Sequence, residues 1–419
     1  MTASLLMTLA FAAFLLAGVA VKFWLASRQV RHVARNRDEV PAPFRERIAL
    51  DAHRKAADYT IARSRFGMLE MAFASVVLLG WTLLGGLDAV NQWLLGWLGA
   101  GMTQQLALFL VFFVIGGALD LPFSLYSTFV IEERFGFNKM TLGLWLVDML
   151  KGVVLGAALG LPLLWVVLWL MHAGGTMWWL WAWGSVAIYQ LFVMWIAPRF
   201  ILPLFNKFTP LQDEALRERV TKLMERCGFA AKGLFVMDGS KRSAHANAFF
   251  TGFGANKRVV FFDTLLAQLT HDEMEAVLAH ELGHFKRRHI VKRTLAGFAL
   301  SLAGFALLGW LSQQLWFYTG LGVRPDLGGS NDALALLLFM LAVPVFSFFV
   351  SPLFSRISRK HEFEADAYAI EHASGRDLAA ALLKLHEDNA STLTPDPVYV
   401  KFYYSHPPAT ERLARMAVA

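Results

Sequence analysis

Apolar residues in this 419-residue chain gather into long runs separated by short charged stretches. Seven runs have about the 20 residues an α-helix needs to cross a bilayer. They lie near Leu5–Leu25, Met68–Leu94, Leu106–Tyr126, Leu144–Leu170, Met177–Ile196, Thr294–Leu315 and Ala333–Leu353. Between the fifth and sixth the pattern shortens. Asp213–Arg226 has the spacing of an amphipathic helix, and Gly233–Met237 reads as a short strand. Asn247–Thr251 and Val259–Phe262 read as a hairpin around Gly254-Ala255-Asn256-Lys257. Helical spacing returns over Ser358–Glu371 and is broken later by Pro395, Pro397, Pro407 and Pro408. The expected fold is a predominantly α-helical integral membrane protein with a small α+β domain. Residues 1–198 form an N-terminal membrane region with spans one to five. Residues 199–290 hold the α+β domain, 291–357 carry spans six and seven, and 358–419 complete the domain.

One stretch of the α+β region carries chemistry: His280-Glu281-Leu282-Gly283-His284. Residues four apart on an α-helix fall about 40° from each other, so His280 and His284 project from one face and can share a metal ion. Glu281 lies beside them, where it can take a proton from a water on the metal; zinc brings the pKa of that water to about 7. The helix is well marked. Thr270 and Glu273 form a capping box, Asp272 and Glu273 suit the positive end of the macrodipole, and Lys286, Arg287 and Arg288 suit the other end. Met274, Val277, Leu278 and Leu282 give it an apolar side. A five-residue pattern of this kind also occurs by chance, so its surroundings decide.

A catalytic zinc takes three protein ligands and keeps a position for water. His289 follows nine residues after His280, which turns it roughly 180° away on a straight helix. It would become a ligand only if the helix broke, and no glycine after His284 provides a break. Glu362 and Asp366 are better placed, being four apart on the helix expected over Ser358–Glu371. Glu362 can complete the ligand set, and Asp366 can accept the N–H of a ligating histidine and fix its tautomer. Glu364, between them, points elsewhere and is read as solvated.

Composition agrees with a membrane setting: 56% of residues are hydrophobic, 14% aromatic and only 17% charged. The single cysteine, Cys227, excludes an intramolecular disulfide and a Cys-rich metal site. A net charge of +7 raises the question of nucleic acid, but the basic residues cluster beside apolar spans, so no nucleic-acid partner is expected. The first run has no basic start and is followed by Arg28 and Arg31, which makes it an anchor, not a signal peptide. Ten Arg and Lys residues lie between Arg28 and Arg65, against none in Met171–Thr176. The positive-inside rule then sets the N-terminus outside and the C-terminus in the cytoplasm. Both halves of the zinc site fall on the cytoplasmic side. Asp120, Asp148 and Lys151 lie within apolar runs and receive no role.

With these residues assembled, the chain resembles the type I CAAX prenyl proteases, membrane zinc metallopeptidases, in their bacterial form. The resemblance runs over nearly the whole length. It rests on His280-Glu281-Leu282-Gly283-His284 followed by Phe285 and His289, on Glu362 and Asp366, and on Glu132-Glu133-Arg134-Phe135-Gly136-Phe137-Asn138. Pro203-Leu204-Phe205-Asn206-Lys207-Phe208 and Ser405-His406-Pro407-Pro408 with Arg412 extend it. It implies a seven-helix barrel around a large intramembrane chamber, capped by a gluzincin-type protease domain. It also implies one zinc per chain on His280, His284 and Glu362, with Glu281 and Asp366 assisting. His406 and Arg412 would line the active site, where both could donate to the oxyanion of the tetrahedral intermediate. Asn247, Ala248, Phe249, Phe250, Thr251 and Gly252 would form the edge strand that pairs with substrate, since an unpaired edge can take up an extended peptide.

The expected function is therefore endoproteolysis near the cytoplasmic membrane face, on peptide or lipidated-protein substrates of the prenylated CAAX type. The expected home is a bacterial inner membrane, or the endoplasmic reticulum in a eukaryote. No obligate protein partner is evident. Two other readings remain: an HtpX-like protease that clears damaged membrane proteins, and a transporter or lipid-binding protein whose histidines are incidental.

Overall fold

The computed structural model describes residues 1–229, 233–251 and 258–416. The membrane part begins with α1 (Ala3–Arg35), α2 (Leu50–Trp81), α3 (Gly86–Leu98) and α4 (Met102–Tyr126), the last continuing through a π-helical turn at 127–132. It goes on with α5 (Leu142–Ala173), α6 (Trp178–Ile196) and, after a second π turn, the short α7 (Leu202–Phe205). The protease-side elements are β1 (Phe208–Pro210), α8 (Glu214–Arg226), β2 (Leu234–Met237), β3 (Ala248–Thr251), β4 (Arg258–Phe262), α9 (Asp263–Gln268) and α10 (His271–Lys286). Two further membrane helices, α11 (His289–Leu311) and α13 (Asp332–Ser347), flank the short α12 (Leu315–Gly320). The chain ends with α14 (Ser351–His372), α15 (Gly375–Asp388), α16 (Pro397–Tyr403) and α17 (Ala409–Met416).

Six helical stretches are long and apolar enough to cross a membrane, and the bent pair α2–α3 makes a seventh. The expected span Met68–Leu94 needs correction here. The helix breaks after Trp81 and α3 leaves at 47°. The crossing belongs to α2. Tyr59 packs with Phe135 and Phe137 at the protease end, whereas Trp81 packs with Phe11 and Leu108 in the core at the far end. Twenty-two residues at 1.5 Å each separate Tyr59 from Trp81, about 33 Å, which matches a bilayer core. The apolar run reads as starting only at Met68 because Arg63 and Arg65 interrupt the first half of α2.

Helix neighbours form a circuit: α1 touches α2, α3 links α2 to α4, α4 touches α5, α5 touches α6, α6 touches α11, and α13 touches α11 and α1 and also reaches across to α4 and α5. Packing is uneven along it. The buried residues of α5 are Val167, Leu168 and Met171, those of α6 are Trp178 and Ala182, and α11 contributes Leu308 and Gly309. All belong to the end away from the protease domain. Nearer the domain most residues of α5, α6 and α11 are exposed or half-buried. Composition gives the spans but not this uneven packing, because apolar residues are equally compatible with a tight bundle.

The protease domain draws its core from both sides of the α11–α13 hairpin: Leu216, Val220, Leu278 and Leu282 pack with Tyr368 and Leu382. Its four-stranded sheet has the order β1-β2-β4-β3, with β2 and β4 parallel and the other pairs antiparallel. Capping follows the sequence: the Asp213 side chain accepts from Leu216 N–H, and Thr270 and Glu273 make both bonds of the capping box. The helix expected from Ser358 starts earlier, at Ser351. Only one 3₁₀ turn at 348–350 separates it from α13, so the stretch Asp332–His372 is a single long rod. The change from apolar to charged residues at 358 marks the rod leaving the membrane level, not a helix start.

Charges within the expected spans tie the two parts together. The Asp148 carboxylate accepts from Arg242 at 2.8 and 3.2 Å, and Arg242 also donates to Asn206 at 3.1 Å. Lys151 donates to the Leu204 carbonyl at 2.8 Å. Both partners of the Asp148–Arg242 pair are largely withdrawn from solvent, so breaking it leaves a charge without compensation. Asp148→Asn and Arg242→Gln should each lower the Tm of the purified protein, and the double variant should fall no further than the worse single one. Fully additive losses in a melting experiment would contradict this pairing.

Candidate metalloprotease site

The site is built where α10 crosses α14. Gly283 makes the crossing close: a Cβ there would lie 3.0 Å from the Ala365 Cα and Tyr368 Cβ and 3.1 Å from the Ala365 carbonyl. The two helices consequently bring His280, His284 and Glu362 together. His280 Nε2 lies 3.2 Å from His284 Nε2, and each lies 3.4 Å from an oxygen of Glu362. A tetrahedral ion with bonds of about 2.0–2.1 Å sets neighbouring ligand atoms about 3.3–3.4 Å apart. The two imidazole nitrogens have about that spacing, and Glu362 presents Oε2 to His280 and Oε1 to His284 at it. Glu362 Oε2 is buried and makes no hydrogen bond, as a ligand oxygen needs to be.

Behind His280 stands Asp366, whose Oδ1 is 2.8 Å from His280 Nδ1. Arg412 grips the same carboxylate with Nε at 2.8 Å and with a second nitrogen, and its guanidinium comes within 3.5 Å of His280 Nδ1. Arg412 therefore sits buried on the side of His280 away from the donor atoms, which corrects its expected role as an oxyanion donor. His406 lies on the open side, with Nε2 3.5 Å from Glu362 Oε1. Its segment is anchored from α14, where Arg359 donates to the carbonyls of Val400 and Tyr404 at 3.0 and 2.7 Å. Arg28 of α1 pairs with Asp396 at 3.0 Å, and that aspartate caps α16.

Electrostatics favour a cation in the cluster. Burial alone would lower the pKa of His280, but the adjoining carboxylates of Asp366 and Glu362 override it and raise it to about 9. Burial, reinforced by the His280 charge, pushes His284 down to about 4. Burial also works to raise Asp366, yet His280 and Arg412 hold its carboxyl at about 2. Burial raises Glu281, a direction that suits a carboxylate accepting a proton near neutrality.

β3 ends the sheet, and its outer edge has no strand partner among the described residues. Ala248 and Phe250 pack against the domain core, and Phe249 meets the Phe262 ring edge-on. Phe250 reaches the motif helix through Phe229, with ring centroids 5.1 Å and then 4.7 Å apart to Phe285, the residue after His284. Asn247 extends the ladder, its carbonyl accepting from Phe262 N–H at 3.0 Å. Gly252 and the turn Gly254–Lys257 lie outside the described residues.

Residues 210–418 match the sequence profile of peptidase family M48, and residues 29–207 match the profile described as the CAAX prenyl protease N-terminal region with five membrane helices. The chain belongs to peptidase family M48. Among its relatives, the CAAX prenyl protease 1 homolog of Oryza sativa is 35% identical over 92% of this chain and 92% of its own. CAAX prenyl protease 1 of Saccharomyces cerevisiae is 39% identical over 71% of this chain and 68% of its own. The crystal structure of S. mikatae Ste24p shares the fold with a TM-score of 0.90 at 32% identity, covering 98% of this chain and 99% of that one. This M48 chain is a multi-pass membrane metalloprotease, so the reading as a non-enzymatic transporter falls.

Two features of the site escaped the sequence. The helix does break after the motif, without a glycine: Arg288 takes a left-handed conformation, φ 56° and ψ 33°. His289 returns beneath His284 and is buried there. Glu364, read as solvated, instead holds His289 Nε2 at 2.9 Å. The role of Gly283 was also invisible, because a close helix crossing leaves no local sequence signal. Gly283→Ala must push α14 away by a few tenths of an ångström against backbone atoms. We expect it to lower metal content and peptidase activity together; unchanged metal content by elemental analysis would contradict the close-approach account.

Proposed function

We propose that this protein is a zinc endopeptidase that cuts prenylated CAAX-type C-terminal peptides at the cytoplasmic membrane face. The observation that carries the reading is that His280, His284 and Glu362 each offer a ligand atom within 4.8 Å of the others, on helices joined to membrane spans at 287–288 and 348–350. Ile290 and Val291, six and seven residues after His284, are exposed and apolar, as is Ile357, five residues before Glu362. A cut site at that height suits a peptide whose lipid lies in the membrane or the chamber. The relatives that cover most of this chain carry the name CAAX prenyl protease 1.

His280, His284 and Glu362 would hold the zinc. When bound, zinc lowers the pKa of a coordinated water to about 7 and polarises a carbonyl. Glu281 is the base that removes the proton from the attacking water and later delivers it to the leaving amine. Asp366 orients His280, and Arg412 acts through Asp366 by keeping it charged and in place. His406, exposed beside Glu362, is the group free to donate to the oxyanion. The outer edge of β3, with Asn247 before it, supplies N–H and C=O groups to an extended substrate. Orientation rests on charge: the ten Arg and Lys residues between Arg28 and Arg65 belong with the cytoplasm.

Cleavage of a farnesylated CAAX peptide and of its unprenylated twin, with and without a chelator, tests the substrate class. Chelator-sensitive cleavage favouring the farnesylated form is expected. Equal cleavage of both peptides, or a preference for unfolded membrane proteins, would overturn it in favour of quality control. Glu281→Gln should lose activity by orders of magnitude while retaining zinc, since the amide cannot take the proton. His406→Ala should lower kcat about 10²–10³-fold with zinc retained; loss of zinc in that variant would make His406 a metal-site residue.

A further inference from the structure

His284 has a neighbour that none of the assigned roles uses. The left-handed turn at Arg288 starts α11 with His289 buried under the motif, its side chain only 2% exposed. His289 Nδ1 lies 3.0 Å from His284 Nδ1, and its Nε2 lies 2.9 Å from Glu364 Oε2. The ring also stacks on His361, with centroids 4.0 Å apart and planes 11° from parallel. A carboxylate can only accept, so Nε2 of His289 is the donor to Glu364, and in the neutral ring its Nδ1 then carries a lone pair. Nδ1 of His284 must then be the donor across the 3.0 Å contact. That leaves the lone pair of His284 on Nε2, the atom facing His280 and Glu362.

We infer that His289, oriented by Glu364 and His361, is a positioning residue that fixes the tautomer and ring angle of His284 for the metal. The inference rests on His284 being a metal ligand. It gives the two histidines matching supports from one helix: Asp366 orients His280 directly, and Glu364 orients His284 through His289. Such outer partners are commonly worth 10–100-fold in metal affinity. The arrangement also accounts for a left-handed non-glycine residue, since a straight helix would carry His289 to the opposite face.

Zinc affinity of the purified full chain, measured in detergent by competition with a chromophoric chelator, tests this. His289→Asn keeps an acceptor on Cγ, where Nδ1 is attached, but loses the stacked ring. His289→Phe keeps the ring and loses the acceptor. The expected result is affinity within about threefold of the parent for His289→Asn, and a loss of about 10–100-fold for His289→Phe. The reverse order would make His289 a packing residue and overturn the inference. Glu364→Ala, at a side chain one-third exposed, serves should His289→Phe fail to fold: about a tenfold loss is expected, and unchanged affinity overturns the inference. His284→Ala separates the two readings. If it loses zinc while the His289 and Glu364 variants do not, the relay fails and the ligand set stands; if it keeps zinc, the ligand set itself fails.

Discussion

The structure depends on one close crossing, that of α10 over α14 at Gly283. Everything chemical in the protein is held by this contact. The motif helix supplies His280, Glu281 and His284, while α14 supplies Glu362, Glu364, Asp366 and, three residues before Glu362, the Arg359 that anchors the His406 segment. A methyl group in place of the Gly283 hydrogen would meet backbone, not a flexible side chain. The spacing of the donor atoms is therefore a packing result before it is an electrostatic one.

The crossing is also where the membrane and the protease domain become one object. α14 continues α13 as a single rod, and α11 starts three residues after α10 ends. Neither ligand-bearing helix is free to move independently of a span. Polar ties elsewhere keep the remaining walls in register: Asp148 with Arg242, Lys151 with the Leu204 carbonyl, and Arg28 with Asp396. α5 and α6 are buried only at the end far from the site, whereas α1 and α2 are buried at the near end as well.

Much of this was legible in the sequence because the signals are local or periodic. The spans announce themselves by length and hydropathy, α10 by its capping box and apolar stripe, and the metal cluster by four-residue spacing on two helices. The edge position of Ala248–Thr251 followed from the family pattern; a four-residue strand has no sequence feature that marks it as terminal in a sheet. What stayed hidden depends on tertiary contact. The bend after Trp81 was missed because α2 starts its crossing among arginines. Arg288 gave no warning of its left-handed turn, since arginine has no preference for that conformation. Glu364 looked solvated because its partner, His289, had been assigned to the wrong face.

Zinc per chain is the quantity closest to the central claim, that two span-borne helices build a three-ligand metal centre. Elemental analysis of purified protein and of Glu362→Ala measures it directly. The account predicts near one zinc in the parent and a sharp loss in Glu362→Ala, because α14 would no longer supply a ligand. Full retention of zinc in Glu362→Ala would show that the metal is held without α14, and the crossing would lose its chemical role.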